Sequence, residues 1–482
     1  MNAKATSPNP TRMVVDIKRF GLLKIAVFLT IILIGIFIRL VRIPALTMWS
    51  DEYHTFEIVK IPLTQILTGQ YNELNPPLYF GLLKIFLRIF GKSEYVMRSF
   101  SLLCAIFSLF LLFLLSRELL KGFFPSIGAL LLFTFHPMFI YYSTEIRSYS
   151  LLVLLSLISF YCLLKYRNNP KHPIGWVITM TLGLILNLYT HHFGFLVLLG
   201  ICVVIGLDIV FERKIVRYQY ILIIGVIVSI VMFIPGLLLL RNQANVITTD
   251  NSNLIPPEVF FQVFAFSFHN PLYEQLLTVI AISALILGLT VLISQKDYRI
   301  NGLFLVGVIL SSMMATLLAY FAKINLLPRY LLGVSYSVFI AMAGTLVLKR
   351  DTWINKCIVG IGVLAILLYV FYGIDFAIHT NQENQLVTWK SDWKALSQTI
   401  KQLQQSEDTL VITGWDETPI LYYLNQSAIN SFDFKKAWQN HTFRQYLIIV
   451  SKNSQVFPEF EQATLLFEDQ SKSIKILRLI AN

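Results

Sequence analysis

Charge is scarce in this chain: Asp, Glu, Lys and Arg together make up 14% of its 482 residues, against 56% for the hydrophobic types. With a mean hydropathy of +0.66, that balance excludes an ordinary soluble globular protein. Cysteine is rarer still. The four present, Cys104, Cys162, Cys202 and Cys357, lie in or beside apolar runs without metal-ligand spacing, so they read as small core residues and no disulfide framework is expected. The C-terminal hundred or so residues lack a Gly-rich phosphate loop, and the chain shows neither an internal repeat nor a low-complexity tract. A cleavable signal peptide is also missing from the expectation, because the first apolar run is too long for one and has no small-residue cleavage site; it is expected to stay as an anchor.

Long hydrophobic runs are what the chain has instead. A helix needs roughly 20 apolar residues to cross a bilayer, and helices satisfy their own backbone hydrogen bonds there. Eleven windows qualify: 20–41, 96–116, 123–141, 148–166, 174–190, 193–211, 218–240, 272–294, 302–321, 330–348 and 354–376. The formal charge of +12 is explained by topology rather than by nucleic acid, since the basic residues cluster in alternate loops. Lys4, Arg12, Lys18 and Arg19 precede the first window; Arg117 and Lys121, Lys165, Arg167 and Lys171, Arg213, Lys214 and Arg217, Lys296 and Arg299, and Lys349, Arg350 and Lys356 continue the series. The positive-inside rule then makes the N-terminus cytoplasmic. Eleven crossings of a plasma (inner) membrane put the loops holding Asp51 and Glu145, and the C-terminal tail, on the extracytoplasmic side. The expected organisation is a transmembrane domain over 1–379, with an external loop at 42–95 and an interfacial aromatic segment at 254–268. A small extracytoplasmic α/β domain follows over 380–482, with strands at Thr409–Thr413, Tyr446–Val450 and Ile474–Leu479 and helices at Trp393–Gln404 and Glu459–Phe467. Within the first loop, Pro77 to Phe90 is too short to span and reads as a juxtamembrane or re-entrant helix started by its Pro-Pro pair.

The candidate chemistry gathers at the outer ends of these windows. Asp51 and Glu52, in Trp49-Ser50-Asp51-Glu52, are two adjacent carboxylates at the rim of a span, costly to keep there unless chemistry or an ion uses them. The bland alternative is a solvated loop pair. Glu145 and Arg147 lie in Tyr141-Tyr142-Ser143-Thr144-Glu145-Ile146-Arg147-Ser148-Tyr149, where a second site carboxylate and an anion partner compete with a plain ion pair flanked by an aromatic belt. Arg329 and Tyr330 open another window; the arginine either snorkels to the headgroups or waits for a lipid phosphate. His54, His191 and His192 share the expected outer face with Asp51, as do Asn75, Tyr79 and Tyr142. Histidine with carboxylate on one face could hold a divalent metal such as zinc or manganese, although no His-x-x-x-His or Cys spacing supports it, and polar helix ends are the plainer reading.

Taken in order, these motifs resemble the GT-C membrane glycosyltransferases, specifically glycosyltransferase family 39, the group of the protein O-mannosyltransferases and the aminoarabinose transferases of lipid A. The resemblance rests on Trp-Ser-Asp-Glu after the first span, then Asn75-Pro76-Pro77-Leu78-Tyr79, Gly91-Lys92-Ser93-Glu94 running into Arg98-Ser99, the Tyr141–Tyr149 stretch, Tyr189-Thr190-His191-His192-Phe193 and Pro328-Arg329-Tyr330, over most of 40–350. It implies a GT-C-like fold, a sugar donor on a polyprenyl phosphate, and an acceptor that is lipid, glycan or protein. Asp51 would fall on the catalytic acidic position, with Glu52 beside it, and Glu145 on the second acidic position. Arg329, with Arg147 and Tyr330, would meet the donor phosphate. His54, Asn75, Tyr79, Tyr142, His191 and His192 would be candidates for the substrate site. The β-trefoil insertion of the eukaryotic mannosyltransferases is not recognisable, so a protein acceptor is not implied. The competing class is a transporter or flippase of lipid-linked saccharides, against which stand the few charges at span centres and the missing two-fold repeat.

Overall fold

The structure, a computed structural model, describes residues 10–482 apart from 74, 170–173, 245–270, 322–326, 379–391, 414–417, 426, 431–432, 435–444, 452–461, 469–473 and 481–482. The expected interfacial segment 254–268 lies outside the described residues. Contacts divide the chain into two compact units, Met1–Ile43 with Leu63–Ile378, and Pro44–Pro62 with His379–Asn482.

The first unit is helical: α1 (Pro10–Leu40), α3 (Leu63–Leu67), α4 (Leu78–Phe90), α5 (Glu94–Leu120), α6 (Phe123–Phe135), α7 (Pro137–Tyr142), α8 (Tyr149–Asn168), α9 (Gly175–Thr190), α10 (Gly194–Glu212), α11 (Arg217–Met232), α12 (Ile234–Ala244), α13 (Pro271–Ser294), α14 (Arg299–Phe321), α15 (Leu332–Ala343) and α16 (Trp353–Ile378). All eleven expected windows fall on helix. Among the described residues nine helices are long and apolar enough to cross a membrane, while Phe123–Phe135 and Gly175–Thr190 are apolar but shorter. Large apolar side chains such as Leu22, Phe37, Ile89, Phe321 and Phe371 stand more than half exposed. Water does not tolerate so wide an apolar surface on a monomer, and lipid does. This is a multi-pass membrane protein.

Burial is graded across the unit. Every residue of α15 is buried, so this helix is apolar all round because it has neighbours all round. Small residues set how closely the helices approach it and one another: a Cβ at Gly373 of α16 would overlap the Phe135 carbonyl at the end of α6. The expected single span at 123–141 is broken. Pro137 has no N–H to continue the helix, and the imidazole Nδ1 of His136 accepts from the Met138 N–H at 3.2 Å, so α6 stops and α7 starts afresh. The short helix expected after the Pro-Pro pair is α4, with Tyr79, Phe80, Leu83 and Leu87 buried and Leu82, Ile85 and Ile89 exposed.

At the end of the bundle where the basic loops gather, a buried ion pair ties three helices. Arg167 of α8 donates through Nε to Asp208 of α10 at 2.7 Å and through Nη2 to its second oxygen, and both terminal nitrogens reach the Ile300 carbonyl of α14. Two residues before Arg167, Lys165 pairs with Glu118 at 2.8 Å.

The second unit is α/β. Its five strands, β1 (Asp408–Ile412), β2 (Ile429–Asn430), β3 (Gln445–Ser451), β4 (Thr464–Glu468) and β5 (Ile474–Ile480), run in the order β2-β1-β3-β5-β4. The pairs β1–β2 and β1–β3 are parallel, and β3–β5 and β5–β4 antiparallel. Side chains alternate across β3: Leu447 and Ile449 join Trp393 and Ile400 of α17 (Trp393–Leu403) on one face, while Tyr446, Ile448 and Val450 meet Phe434 on the other. The helix expected over Glu459–Phe467 is instead β4 from Thr464 onward; a threonine and apolar residues suit an edge strand that β5 templates, and Leu465 stays half exposed there. α2 (Ser50–Lys60) belongs to this unit. The Met48 N–H donates to the Tyr423 hydroxyl at 2.8 Å, Lys394 donates to the Leu46 carbonyl, and Phe56 packs edge-on against Tyr422, next to α18 residue Tyr423 (α18, Ile420–Leu424).

Breaking the Arg167–Asp208 pair should cost about 3–5 kcal/mol, because it strands a buried charge. Asp208→Ala is expected to lower the thermal midpoint in detergent, and the double change Arg167→Leu with Asp208→Leu to recover most of it; a double variant no better than the single would refute the buried-charge account.

Candidate active site

The turn between α7 and α8, residues 143–148, is buried throughout, and its polar groups find partners within the helical unit. Ser143 Oγ donates to the Ile140 carbonyl at 2.6 Å and Thr144 Oγ1 to that of Tyr141 at 3.2 Å, local bonds that stop the helix from continuing. The Thr144 carbonyl accepts from Arg98 Nη1 at 3.0 Å, and Arg98 is itself held by Glu94 one helical turn back, at 2.7 and 2.9 Å. The Arg147 carbonyl accepts from Ser101 Oγ at 3.4 Å, and Ser101 shares a 3.0 Å hydrogen bond with the Tyr79 hydroxyl. α5 thus fixes both ends of the turn and aims Glu145, 2% exposed, and Arg147, 6% exposed, into the interior.

Arg147 has a carboxylate partner that the motif reading missed. Its Nη1 donates to Glu73 at 3.0 Å. The other Glu73 oxygen accepts from both the backbone N–H and the side-chain amide of Asn75, at 3.3 and 3.0 Å, and the Asn75 carbonyl accepts from the Tyr71 hydroxyl at 2.9 Å. Burial, with the Glu73 charge beside it, raises the Tyr71 phenol above its ordinary value. The signal that could have found Glu73 is its position two residues before Asn-Pro-Pro, where a carboxylate must either face water or find a cation.

A second group converges on the same turn. Arg329 bonds to the Tyr142 hydroxyl, and Arg329, Arg147 and Glu145 all act electrostatically on Tyr149. Tyr142 and Tyr149 meet edge to face at 4.9 Å. His191, 3% exposed, lies 5.5 Å from Tyr149 and 5.8 Å from Tyr330, and Tyr330 stacks on Phe193 at 4.4 Å and 7°. The α9–α10 connection that carries His191 is tight: a Cβ at Gly194 would come within 2.6 Å of the Asn187 carbonyl oxygen. Burial, and then the charges of His192, Arg147 and Arg329, holds the His191 imidazole well below its usual pKa, so it is neutral. Its Nδ1 accepts from the Phe193 N–H at 3.1 Å, which leaves the proton on Nε2.

Asp51, Glu52 and His54 sit on α2, in the other unit. Both carboxylates occupy its first turn, where a helix favours negative charge. Glu52 is fully buried and accepts from the Trp49 N–H at 3.4 Å; Asp51 is half-buried. The structure therefore gathers Asn75, Tyr79, Tyr142, Glu145, Arg147, His191, His192, Arg329 and Tyr330 in the helical unit and the three α2 residues in the second. Among the described residues no group of three or more His, Cys, Asp or Glu side chains is close enough to hold a metal ion.

Residues 75–238 match the family model described as dolichyl-phosphate-mannose-protein mannosyltransferase, a stretch that includes the 143–148 turn and His191 but neither Asp51 nor Arg329. No curated protein matches the chain by sequence. Among solved structures, ArnT from Cupriavidus metallidurans in the apo state superposes with a TM-score of 0.64 at 13% identity, covering 97% of this chain and 99% of that one. The same protein bound to undecaprenyl phosphate gives 0.59 at 14% identity, with 96% and 98% covered. The archaeal oligosaccharyltransferase AglB from Archaeoglobus fulgidus, in complex with an inhibitory peptide and a dolichol-phosphate, gives 0.55 at 11%, with 87% and 69% covered. The chain has the GT-C fold. Within it, the catalogue of site candidates is extended by Glu73 and by Arg98, which hold the turn carrying Glu145 and Arg147.

Two measurements check this geometry. A double-mutant cycle on Glu73→Ala and Arg147→Ala should show a coupling of about 1–3 kcal/mol, and additive effects would deny the pair. For His191, the unfolded chain takes up a proton below about pH 6.5 while the folded chain does not. Stability should therefore fall as pH drops below that value, by up to about 1.4 kcal/mol per pH unit for this group, until the lowered folded pKa is reached. His191→Gln should lose that part of the acid sensitivity in thermal melts at pH 7 and 5.5.

Proposed function

We propose that the protein is a glycosyltransferase that moves a sugar from a polyprenyl-phosphate carrier to an acceptor hydroxyl on the extracytoplasmic face of the membrane. The observation that carries the reading is the convergence of Arg147 and Arg329 on Tyr149, with Arg329 also bonded to Tyr142, beside a buried carboxylate, in a chain of GT-C fold. Two guanidinium groups suit a phosphate that gains charge as its bond to the sugar breaks, because their planar forks match its oxygens. Neighbours solved with undecaprenyl phosphate and dolichol-phosphate make a lipid-borne phosphate the natural donor class.

In this reading the acceptor oxygen attacks the anomeric carbon as the carbon–oxygen bond to the phosphate breaks, with inversion. Asp51 takes the acceptor proton, and Glu52 braces α2 by accepting from the Trp49 N–H. Arg329 and Arg147 take up the charge left on the polyprenyl phosphate. Tyr142, bonded to Arg329, and Tyr330, stacked on Phe193, set the direction of the first guanidinium; Glu73 and Asn75 set that of the second. Glu145 orients the acceptor, and neutral His191 offers an Nε2–H donor without adding charge.

The deciding assay follows release of polyprenyl phosphate from a lipid-linked sugar by the purified protein. Release dependent on an acceptor separates a transferase from a flippase, which would leave the donor intact. Asp51→Asn is expected to abolish release with expression and membrane insertion unchanged, and near-normal turnover by that variant would remove Asp51 from the role of base. Arg329→Gln should lower turnover on the order of a hundredfold, the usual scale for losing one donor to a developing oxyanion.

A further inference from the structure

The chain enters α2 through a short strap, residues 44–49, whose backbone is met by side chains 348 to 375 positions later. Every second residue of it is gripped. Lys394 of α17 donates to the Pro44 carbonyl at 3.4 Å and to the Leu46 carbonyl, and the Met48 N–H donates to the Tyr423 hydroxyl at 2.8 Å. Leu46, Thr47, Met48 and Trp49 are all buried, and a buried amide left without an acceptor is costly. The strap therefore keeps its place only while α17 and α18 supply these partners.

A second hold lies further along α2. Phe56 meets Tyr422 edge to face at 4.9 Å, and Tyr422 meets Tyr423 in the same way at 5.1 Å, so adjacent residues of α18 hold the strap and the helix. That platform is itself fixed. Lys401 donates to the Tyr423 carbonyl at 3.1 Å, and Ile420 and Leu424 are buried in the core of the second unit with Trp393 and Ile400. A helix held at one point can swing and turn; held at two points more than a turn apart, it has a set axis and a set rotation. Asp51 lies between the holds, three residues after Met48 and five before Phe56.

We propose that Tyr423 and Lys394 are positioning residues for the transfer reaction: through them the C-terminal sheet domain aims α2 and, with it, Asp51. This rests on the reading of Asp51 as the base. Stability alone does not call for such an arrangement. An ammonium is well served by water, and fixing a long lysine side chain on two carbonyls gives up rotamer freedom. What the arrangement does achieve is a fixed direction for the first turn of α2, where Glu52 accepts from the Trp49 N–H and Asp51 follows Ser50. The C-terminal domain is on this account part of what sets the rate.

The test uses the full chain in detergent with two readouts. One is hydrogen exchange of peptides covering 46–56. The other is steady-state release of polyprenyl phosphate from undecaprenyl-phosphate-linked glucose, mannose and arabinose, with a cell-envelope lipid extract as acceptor. Tyr423→Phe removes one hydroxyl and keeps the ring. Exchange at 46–56 should quicken while β1 and β3 keep their protection. The kcat should fall roughly tenfold with the donor KM unchanged, since a misplacement of about 1 Å can cost a hundredfold. Lys394→Met should behave alike, and Lys394→Arg, which keeps donors for the carbonyls, should restore most of the lost turnover. Should Tyr423→Phe fail to fold, the two lysine variants carry the same test. Unchanged exchange at 46–56, or quicker exchange with kcat intact below the thermal midpoint, overturns the proposal. A wild-type chain that releases nothing from any of the three donors refutes the transferase reading instead, and exchange at 46–56 then still decides whether the grip exists.

Discussion

A helical bundle in lipid has no water with which to satisfy a broken helix or a charged side chain, so every such group must be answered from within. The turn at 143–148 is where this constraint shapes the molecule most. Six consecutive residues leave the helical path in a fully buried position, and the interruption persists because α5 supplies Arg98 to one carbonyl and Ser101 to another, while Ser and Thr hydroxyls close the adjoining turn of α7. Arg98 is in turn usable only because Glu94 sits one helical turn before it. The sequence Glu94–Arg98 looks like an ordinary i,i+4 surface pair; buried, it becomes the anchor of the segment that presents Glu145 and Arg147.

The cations at this turn are directed by different means. Arg147 is directed by charge, through Glu73, which also ties down both nitrogens of Asn75. Arg329 is directed by aromatic packing: Tyr330 beside it stacks on Phe193, and Tyr142 accepts its hydrogen bond. Both guanidinium groups are thereby held in fixed directions, and both act on Tyr149. His191 fits the same logic, since burial near two guanidinium groups makes a neutral imidazole the stable form, and its tautomer is chosen by the Phe193 N–H.

Much of this was legible from composition and order of motifs. The helical membrane architecture, ten of the helix starts to within a few residues, the short helix after Pro76-Pro77 and three strands of the sheet follow from runs of apolar residues and from β-branched stretches. What escaped has specific physical reasons. The break within 123–141 rests on one proline and a histidine cap inside an apolar run, a local signal that hydropathy averages away. β4 has a helix-like pattern in sequence because an edge strand draws its order from its neighbour β5 rather than from its own residues. Glu73 stays illegible because a lone charge in sequence says nothing of its partner, and it finds Arg147 seventy-four positions away. The loop after the first span likewise reads as one segment, yet 44–62 pack with α17 and α18 of the second unit through Leu46, Met48 and Phe56, contacts that no motif announces.

The engagement of carboxylates bears on which one can serve as a base. Proton abstraction needs an oxygen lone pair that is not already spent on a guanidinium. In the helical unit Glu73, Glu94 and Asp208 each accept from an arginine at hydrogen-bond distance, Glu73 with one oxygen and two further donors on the other. Those three are structural in the strict sense that their lone pairs hold the fold. Glu52 is drawn into capping its own helix. Asp51, in the first turn of the same helix, is half-buried rather than fully enclosed. In the proposed reaction the role of base falls on Asp51 by its motif and its partial exposure, while the adjacent Glu52 keeps the helix.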